Sequence, residues 1–179
     1  MARSLLDQGR KESSAEPRRP AKVTGAFTIR GAALLDLPRI LEIERLAFSQ
    51  PWSRDAFKRE FSLAFSRTIV AVWNSVDESA VVGFLCRWLV GSEYHVLNIA
   101  VHPAFRRFGI ATALMDAAIG EARASESELI TLEVRRSNVA ARGLYRRYCF
   151  EERRLRRNYY GPGQDAIVME LQLKAPASL

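Results

Sequence analysis

A glycine-containing turn, "RRFGIA" (106–111), carries the clearest sign of chemistry in this 179-residue chain. The turn follows an apolar segment that ends at Val101 and precedes a segment with helical periodicity. A helix N-terminus leaves backbone amides unpaired and carries about half a positive charge, which suits an anion. Gly109 allows a ligand to approach the backbone closely, and Arg106 and Arg107 add positive charge. The turn therefore predicts a phosphate cradle, and the alternative is an ordinary strand–helix connection.

The turn matches neither of two common phosphate-binding motifs. No Lys-Ser or Lys-Thr pair follows Gly109, as a P-loop requires, and the three glycines of a dinucleotide fingerprint are missing. Spacing alone therefore leaves both interpretations of the turn open.

The segments around the turn alternate between short apolar runs and helical patterns, which is typical of a mixed α/β domain. Strands are predicted at 27–30, 67–73, 80–90, 93–101, 128–136, 150–160 and 165–173. Helices are predicted at 36–48, 51–61, 110–123 and 137–148, with Asp36 and Ser53 as N-caps of the first two. The resulting order, β-α-α-β-β-β-α-β-α-β-β, predicts a mixed sheet with helices on both faces.

Composition predicts one globular domain, since the chain is 48% hydrophobic. Residues 1–24 are polar, charged and proline-bearing, and we expect a disordered basic tail there, followed by a domain over 25–175. No run approaches the roughly 20 apolar residues of a membrane span, and no secretory signal is visible, so we expect a cytoplasmic protein. Cys86 and Cys149 form no CxxC pair and are predicted to be buried thiols.

The net charge of +7 is unevenly placed. Nine arginines lie between Arg135 and Arg157, against Glu151 and Glu152 alone. This arginine-rich segment is either a solvated face or a surface for an anionic partner, such as an acidic protein, RNA or a phosphate-bearing cofactor.

Four segments together resemble the GCN5-related N-acetyltransferase (GNAT) superfamily: "IERLAFSQPWS", "LNIAVHPAFRRFGIATALM", "LEVRRSNVAARGLYRRYCF" and "RRNYYGPGQDAIVMEL". The R-x-x-G-x-A motif alone marks the superfamily. With the other segments, the chain is similar more narrowly to the RimI-type ribosomal-protein alanine N-acetyltransferases, from about Phe27 to Leu173. The resemblance implies an α/β GNAT fold, a mixed and mostly antiparallel sheet of six or seven strands splayed in the middle, with about four helices on both faces.

The resemblance implies that acetyl-CoA is the co-substrate and that no metal is needed. The diphosphate would lie on the backbone of Arg107 to Thr112, and the pantetheine arm would follow Ile99 to Val101 and bond to Asn138. The cofactor-binding residues implied in this way are Ile99, Ala100, Val101, Arg106, Arg107, Phe108, Gly109, Ile110, Ala111, Thr112 and Asn138.

The resemblance also assigns the catalytic roles, Glu133 as general base and Tyr145 as general acid. A substrate α-amine, with a pKa of about 7.7–8.0, must lose a proton before it attacks. A phenol with a pKa of about 10 can protonate the departing thiolate of CoA, whose pKa is about 8.5. Strand alternation points Glu133 away from the face that Leu132 and Val134 share. An ion pair of Glu133 with Arg135 is the alternative role.

The implied substrate is a protein N-terminus, alanine-led and belonging to a ribosomal protein. The segment "RRNYY" matches the family's peptide cleft, so Tyr159 and Tyr160 are candidates for substrate contact, although Tyr160 could equally be a packing residue. Two other functions stay open. The chain could acetylate a lysine side chain or a small-molecule amine, or it could be an RNA- or ribosome-binding module anchored through the arginine-rich segment 135–157.

Three residues depart from the family pattern. His102 stands where relatives often carry an acidic residue, and we expect this change to be innocuous. Phe108 stands where the family usually carries Arg or Lys, which removes one charge beside the predicted cradle. Cys149 stands where the family usually has Gly, and it would be strained if that position requires a positive φ.

Overall fold

The computed structural model describes residues 26–75 and 79–173. The predicted tail at 1–24 lies outside the described residues. Within them, seven strands form one sheet that is covered by two helices on each face. The predicted order of strands and helices is confirmed.

The strands are β1 (Ala26–Gly31), β2 (Ser66–Asn74), β3 (Ser79–Val90), β4 (Glu93–Val101), β5 (Leu129–Arg135), β6 (Glu151–Arg156) and β7 (Ala166–Gln172). The helices are α1 (Leu37–Ala47), α2 (Arg54–Ser62), α3 (Ile110–Ala124) and α4 (Val139–Arg147). The largest difference from the predicted bounds is in β6, which was expected over 150–160 and ends at Arg156 because the next residues turn back toward β7.

The strands lie in the order β1-β2-β3-β4-β5-β7-β6. Neighbours are antiparallel except β4 and β5, which are parallel and joined through α3. This topology confirms the predicted mixed, mostly antiparallel sheet.

The two faces of the sheet carry separate hydrophobic cores. One core buries the apolar stripe of α3, including Ile110, Leu114 and Met115, and takes in Tyr145 from α4. The other packs α1 and Phe57 of α2 against β2, β3 and the end of β4. The helix pairs α1–α2 and α3–α4 thus pack on opposite faces of the sheet, each through its own core.

A β-bulge at Leu97 changes the direction of β4. Its neighbours pair normally with β3, Val96 opposite Arg87 and Asn98 opposite Cys86, which leaves Leu97 as an extra residue. An extra residue bends a strand and reverses the alternation of its side chains. Val96 accordingly packs into the α3 core, whereas the α1 core holds Ala100, four residues on.

The parallel pairing of β4 and β5 ends where the bulge begins. The ladder runs from Glu93 opposite Leu129 to Val96 opposite Leu132 and goes no further, although β4 continues to Val101. β5 stays paired with β7 up to Arg135. The bend therefore moves β4 away from β5 and opens the sheet in the middle, as the predicted splay requires.

The two predicted helix caps have different outcomes. Ser53 caps α2, since its hydroxyl accepts a hydrogen bond from the Ala56 amide at 3.1 Å. Asp36 occupies the N-cap position of α1, as predicted, but its side chain makes no cap bond to that helix. A short 3-10 turn precedes α1, and the Asp36 carboxylate reaches back to accept from the Ala33 amide and to pair with Arg30, both within 2.8 Å.

Cys149 closes α4 in a left-handed conformation. Its φ is 66°, its amide donates to the Arg146 carbonyl, and the Phe150 amide donates to the Tyr145 carbonyl, which is the hydrogen-bond pattern of a Schellman motif. The thiol is exposed, so the prediction of a buried Cys149 was wrong, while Cys86 is buried as predicted. Glycine adopts this conformation without the steric cost that a Cβ imposes.

No helix among the described residues is both long and apolar enough to cross a membrane.

Replacing Cys149 with glycine should raise the free energy of unfolding by about 1 kcal/mol, because the substitution relieves the Cβ strain at a positive φ. Cys149→Ala is the matched control, since it removes the thiol and keeps the Cβ. Chemical denaturation should show stabilisation by glycine alone. Equal stabilisation by alanine would show that Cβ strain at position 149 is not the cause.

Candidate active site

The turn before α3 presents a row of unpaired amides. The backbone N–H groups of residues 107–112 make no hydrogen bond to any described part of the chain, and the first amide with an intrahelical partner is that of Ala113, which donates to the Gly109 carbonyl at 2.9 Å. Gly109 has a φ of 80° and Arg107 one of 70°, which turns the chain into the helix. Orphaned amides at a helix start are suited to bind an anion.

The start of α3 packs closely against the sheet. A Cβ at Gly83 would lie 3.0 Å from the Ile110 side chain and 3.1 Å from the Ala100 carbonyl, so glycine is what permits this approach. Phe108, the uncharged departure from the family pattern, packs edge-on against Trp73 with ring centroids 5.4 Å apart. The turn is thus held against β2 and β3 by apolar contacts, and its arginines, Arg106 and Arg107, stay exposed.

One edge of the end of β4 is unpaired. Ile99, Ala100 and Val101 pair with β3 on one side and with no described strand on the other. Asn138, expected beside the same opening, is the N-cap of α4, where its Oδ1 accepts from the Ala141 amide at 3.1 Å. The structure therefore brings the predicted cradle and the predicted pantetheine strand together at the point where the sheet opens.

A cleft of about 420 Å³ lies on the α1 face of this opening. One wall comes from β5 and the β6–β7 connection and contains Glu133, Tyr159 and Tyr160. The other comes from α1 and the segment after it and contains Glu44 and Trp52. Carboxylates and aromatic rings thus face each other across a space large enough for the end of a peptide.

Glu133 points into the cleft as the strand alternation predicted. Its Oε1 accepts a hydrogen bond from Arg156 Nη1 at 2.6 Å. The ion pair with Arg135 that the sequence offered as an alternative does not form. Arg135 instead lies 4.3 Å above the ring of Tyr160 and donates to Gln164, because the β6–β7 connection folds over β5.

Tyr145 lies on the opposite face of the sheet from the cleft. It is 4% exposed in the α3 core, packs against Phe150 with ring centroids 5.8 Å apart, and does not line the cleft that contains Glu133. Burial, with a smaller contribution from Tyr160, raises the pKa of its phenol above the ordinary value. The phenol therefore keeps its proton throughout the physiological pH range.

The two tyrosines of the β6–β7 connection have different surroundings. Tyr160 is part-buried, its hydroxyl donates to the main-chain carbonyl of Glu133 at 3.2 Å, and burial raises its pKa to about 12. Tyr159 is 45% exposed, beneath the guanidinium of Arg156 at 4.3 Å. Both rings line the cleft, and Tyr160 also braces the connection against β5.

Sequence analysis missed Glu44 and Asn98. Glu44 is 1% exposed, and its carboxylate accepts from the Trp52 amide at 2.8 Å and from Asn98 Nδ2 at 3.0 Å. Burial raises the pKa of Glu44. The available signal was a charge on the apolar stripe of α1, one residue after the buried Ile43 and four after Ile40.

In the part of the chain that the structure describes, no group of three or more His, Cys, Asp or Glu side chains could hold a metal ion.

Comparison with known sequences agrees with this geometry. Residues 37–149 match the model of the acetyltransferase (GNAT) family. A ribosomal protein bS18-alanine N-acetyltransferase from Salmonella typhimurium is 36% identical over 149 residues, which cover 82% of this chain and 97% of that protein. An N-alpha-acetyltransferase from Saccharolobus solfataricus is 32% identical over 159 residues, which cover 80% and 91%.

Solved structures share the fold. The ribosomal protein bS18-alanine N-acetyltransferase from Escherichia coli superposes with a TM-score of 0.76 at 32% identity, over 86% of this chain and 99% of that one. Arabidopsis thaliana NAA60 in complex with acetyl-CoA has a TM-score of 0.76 at 20% identity, over 83% and 99%, and supports the fold alone. By its sequence and its splayed sheet, the chain belongs to the acetyltransferase (GNAT) family and is an acyltransferase.

Proposed function

We propose that this acyltransferase is an N-alpha-acetyltransferase that transfers the acetyl group of acetyl-CoA to the alanine-led N-terminus of a ribosomal protein. The observation that carries the proposal is the opening between β4 and β5, which has unpaired amides at one end and a carboxylate-lined cleft at the other. The names of the bacterial relatives supply the substrate class.

The turn before α3 fits the anionic end of acetyl-CoA. Its orphaned amides at 107–112 and the charges of Arg106 and Arg107 complement a diphosphate. Ile99 to Val101 offer an unpaired strand edge for the pantetheine amides, and Asn138, three residues after the end of β5, adds a side-chain bond in this proposal. Acetyl-CoA supplies the acetyl group as a thioester.

Glu133 serves as the general base in this proposal. It lies in the cleft, where the Arg156 guanidinium at 2.6 Å holds its carboxylate in place. The carboxylate takes the proton of the substrate α-ammonium, directly or through water, so that the free amine can attack.

Tyr145 serves as the general acid from the other side of the sheet. The buried phenol is protonated at neutral pH and so has a proton to give to the thiolate that leaves, although burial also makes it a weaker acid. Tyr159 and Tyr160 contribute the wall along which the first residues of the peptide lie.

The proposal is tested with a defined peptide panel. Peptides that begin with Ala, Ser or Met, and an internal-lysine peptide with a blocked terminus, are incubated with acetyl-CoA and analysed by mass spectrometry. We expect one acetyl group on the α-amine, with the highest kcat/KM for the alanine-led peptide. Acetylation confined to the lysine side chain would contradict the proposal.

We also propose that the arginine-rich surface, residues 135–157, contacts RNA near the substrate. All residues of β6 are exposed, and Arg147, Arg154 and Arg157 form no ion pair with any described carboxylate. Unpaired guanidinium groups are the side chains that bind phosphates most readily.

Changing Arg147, Arg154 and Arg157 together to alanine should weaken RNA binding and flatten its dependence on salt. Each phosphate contact contributes about 0.7–0.9 to the slope of log K against log salt, so the slope should fall by about 2. Filter binding at several salt concentrations measures this slope.

The matched control replaces Arg54, Arg59 and Arg123, which are also exposed, and removes the same net charge elsewhere on the surface. Equal loss in both triple variants, or no measurable binding by the wild type, would contradict a localised RNA surface. Acetylation of a short peptide should be unchanged in both variants.

Glu133→Gln should lower kcat by about 10²–10⁴-fold, which is the usual contribution of a general base. Tyr145→Phe should lower kcat through loss of the proton donor, with a smaller effect on folding because the ring stays packed. Calorimetry should show near-normal acetyl-CoA affinity in both variants. Near-wild-type kcat in both would overturn the two assignments.

Gly109→Asp should weaken acetyl-CoA binding by about tenfold or more, because its carboxylate would both occupy the unpaired amides and repel a diphosphate. Gly109→Asn is the matched control, since asparagine has the same shape without the charge and tolerates a positive φ. Titration calorimetry that gave equal affinities for the two variants would argue against an anion at this turn.

A further inference from the structure

The cleft contains a buried pair that the proposed acid and base do not use. Glu44 and Asn98 are 1% and 8% exposed, and they are joined by the 3.0 Å hydrogen bond from Asn98 Nδ2 to Glu44 Oε2. The other carboxylate oxygen accepts from the Trp52 amide at 2.8 Å. A buried carboxylate is costly unless it is hydrogen-bonded, and both oxygens of Glu44 are.

This pair fixes the orientation of the Asn98 amide. An ionised carboxylate can only accept hydrogen bonds, so the Asn98 NH₂ group must face Glu44 and Oδ1 must face away. No described group donates to Oδ1, while every fully buried polar side-chain atom of the described residues has a partner. Because Asn98 lines the cleft, Oδ1 is an accessible acceptor there.

The position of Asn98 in the strand gives this acceptor a role. Asn98 follows the bulged residue Leu97 and is among the first residues of β4 that no longer pair with β5. The bulge turns its side chain to the α1 face, which is also the face of Glu133. Asn98 Oδ1 and the Glu133 carboxylate therefore border the same opening.

We propose that Glu44 is a positioning residue, which holds the Asn98 amide so that Oδ1 accepts a hydrogen bond from the substrate amine and orients it for attack. The inference rests on the proposed function. The neutral amine nitrogen bonds to the acetyl carbon and gives an N–H proton to Glu133, which has already passed the earlier ammonium proton to water. The carbon–sulfur bond breaks and Tyr145 protonates the sulfur. Asn98 transfers no proton.

An amide is suited to this task because it does not compete with the base. A neutral amide oxygen accepts a hydrogen bond from one N–H of the amine without removing that proton, so Glu133 stays the single acceptor of the proton. Holding one N–H fixes the direction of the nitrogen lone pair, and orientation of this kind is a large part of enzymatic rate enhancement.

Glu44→Gln should reverse the orientation of the Asn98 amide, while the side chain at position 44 keeps nearly the same shape. The new amide can keep the bond from Trp52 through its oxygen, but it then turns an NH₂ group toward Asn98. Asn98 must flip to accept from that group, which turns its own NH₂ toward the cleft and replaces an acceptor with a donor. We expect kcat to fall by about tenfold to a hundredfold, with acetyl-CoA affinity and thermal stability close to wild type.

The double variant Glu44→Gln with Asn98→Asp should restore part of kcat, because it returns an acceptor to the cleft but as a carboxylate, which competes with Glu133 for the proton. The aspartate accepts from the new amide with one oxygen and presents the other to the cleft, so the acceptor returns. Asn98→Asp alone places two carboxylates in contact and should lower both kcat and the melting temperature. Stopped-assay kinetics and thermal melts are measured for all four proteins on the best peptide of the panel.

The outcomes separate the positioning role from simple bracing of α1 against β4. A double variant no more active than Glu44→Gln, or a Glu44→Gln protein that loses stability while keeping kcat, would overturn the inference. Failure of the proposed function would show in the wild type, as a preference for lysine over an N-terminal amine. The recovery of kcat in the double variant can be measured with an N-terminal amine or with a lysine side chain as substrate. Failure of the positioning role can therefore be distinguished from failure of the proposed function.

Discussion

The end of hydrogen bonding between β4 and β5 is the constraint on which the rest of this structure depends. A single extra residue, Leu97, bends β4 after Val96 and reverses which side chains face which core. Without the bulge, the parallel ladder could continue to the end of β5 at Arg135 and close the middle of the sheet. With it, the strand keeps its partner β3 and has no described partner on its other edge, so the sheet is open there.

The polar groups around this gap can all form hydrogen bonds with a ligand. Among the described residues, the amides at 107–112 and the Asn98 oxygen have no hydrogen-bond partner, and Glu133 is held by Arg156 at the cleft surface and not buried in the core. Leaving polar groups unpaired costs stability, and proteins accept that cost mainly at functional sites. Two separate hydrophobic cores supply the rigidity that keeps these groups in place.

The fold and the turn before α3 could be predicted from the sequence because both depend on local signals. Helical and strand periodicity gave the order of elements, and Gly109 marked a turn that only a left-handed residue can make. The same reasoning missed Glu44 and did not identify Arg156 as the partner of Glu133. These contacts join residues far apart in the chain: Asn98 to α1, and Arg156 from β6 to β5. The bulge at Leu97 has no composition signal, so the face reversal in β4 is visible in the structure alone.

The most direct measurement is a crystal structure of the protein with a bisubstrate analogue, in which an alanine-led peptide is joined through its α-amine and an acetyl linker to the sulfur of CoA. The account predicts the diphosphate within hydrogen-bond distance of the amides at 107–112, and the linker between Ile99 and Glu133 with its nitrogen near Asn98 Oδ1. A ladder of hydrogen bonds joining the ends of β4 and β5, or a ligand bound away from this opening, would contradict it.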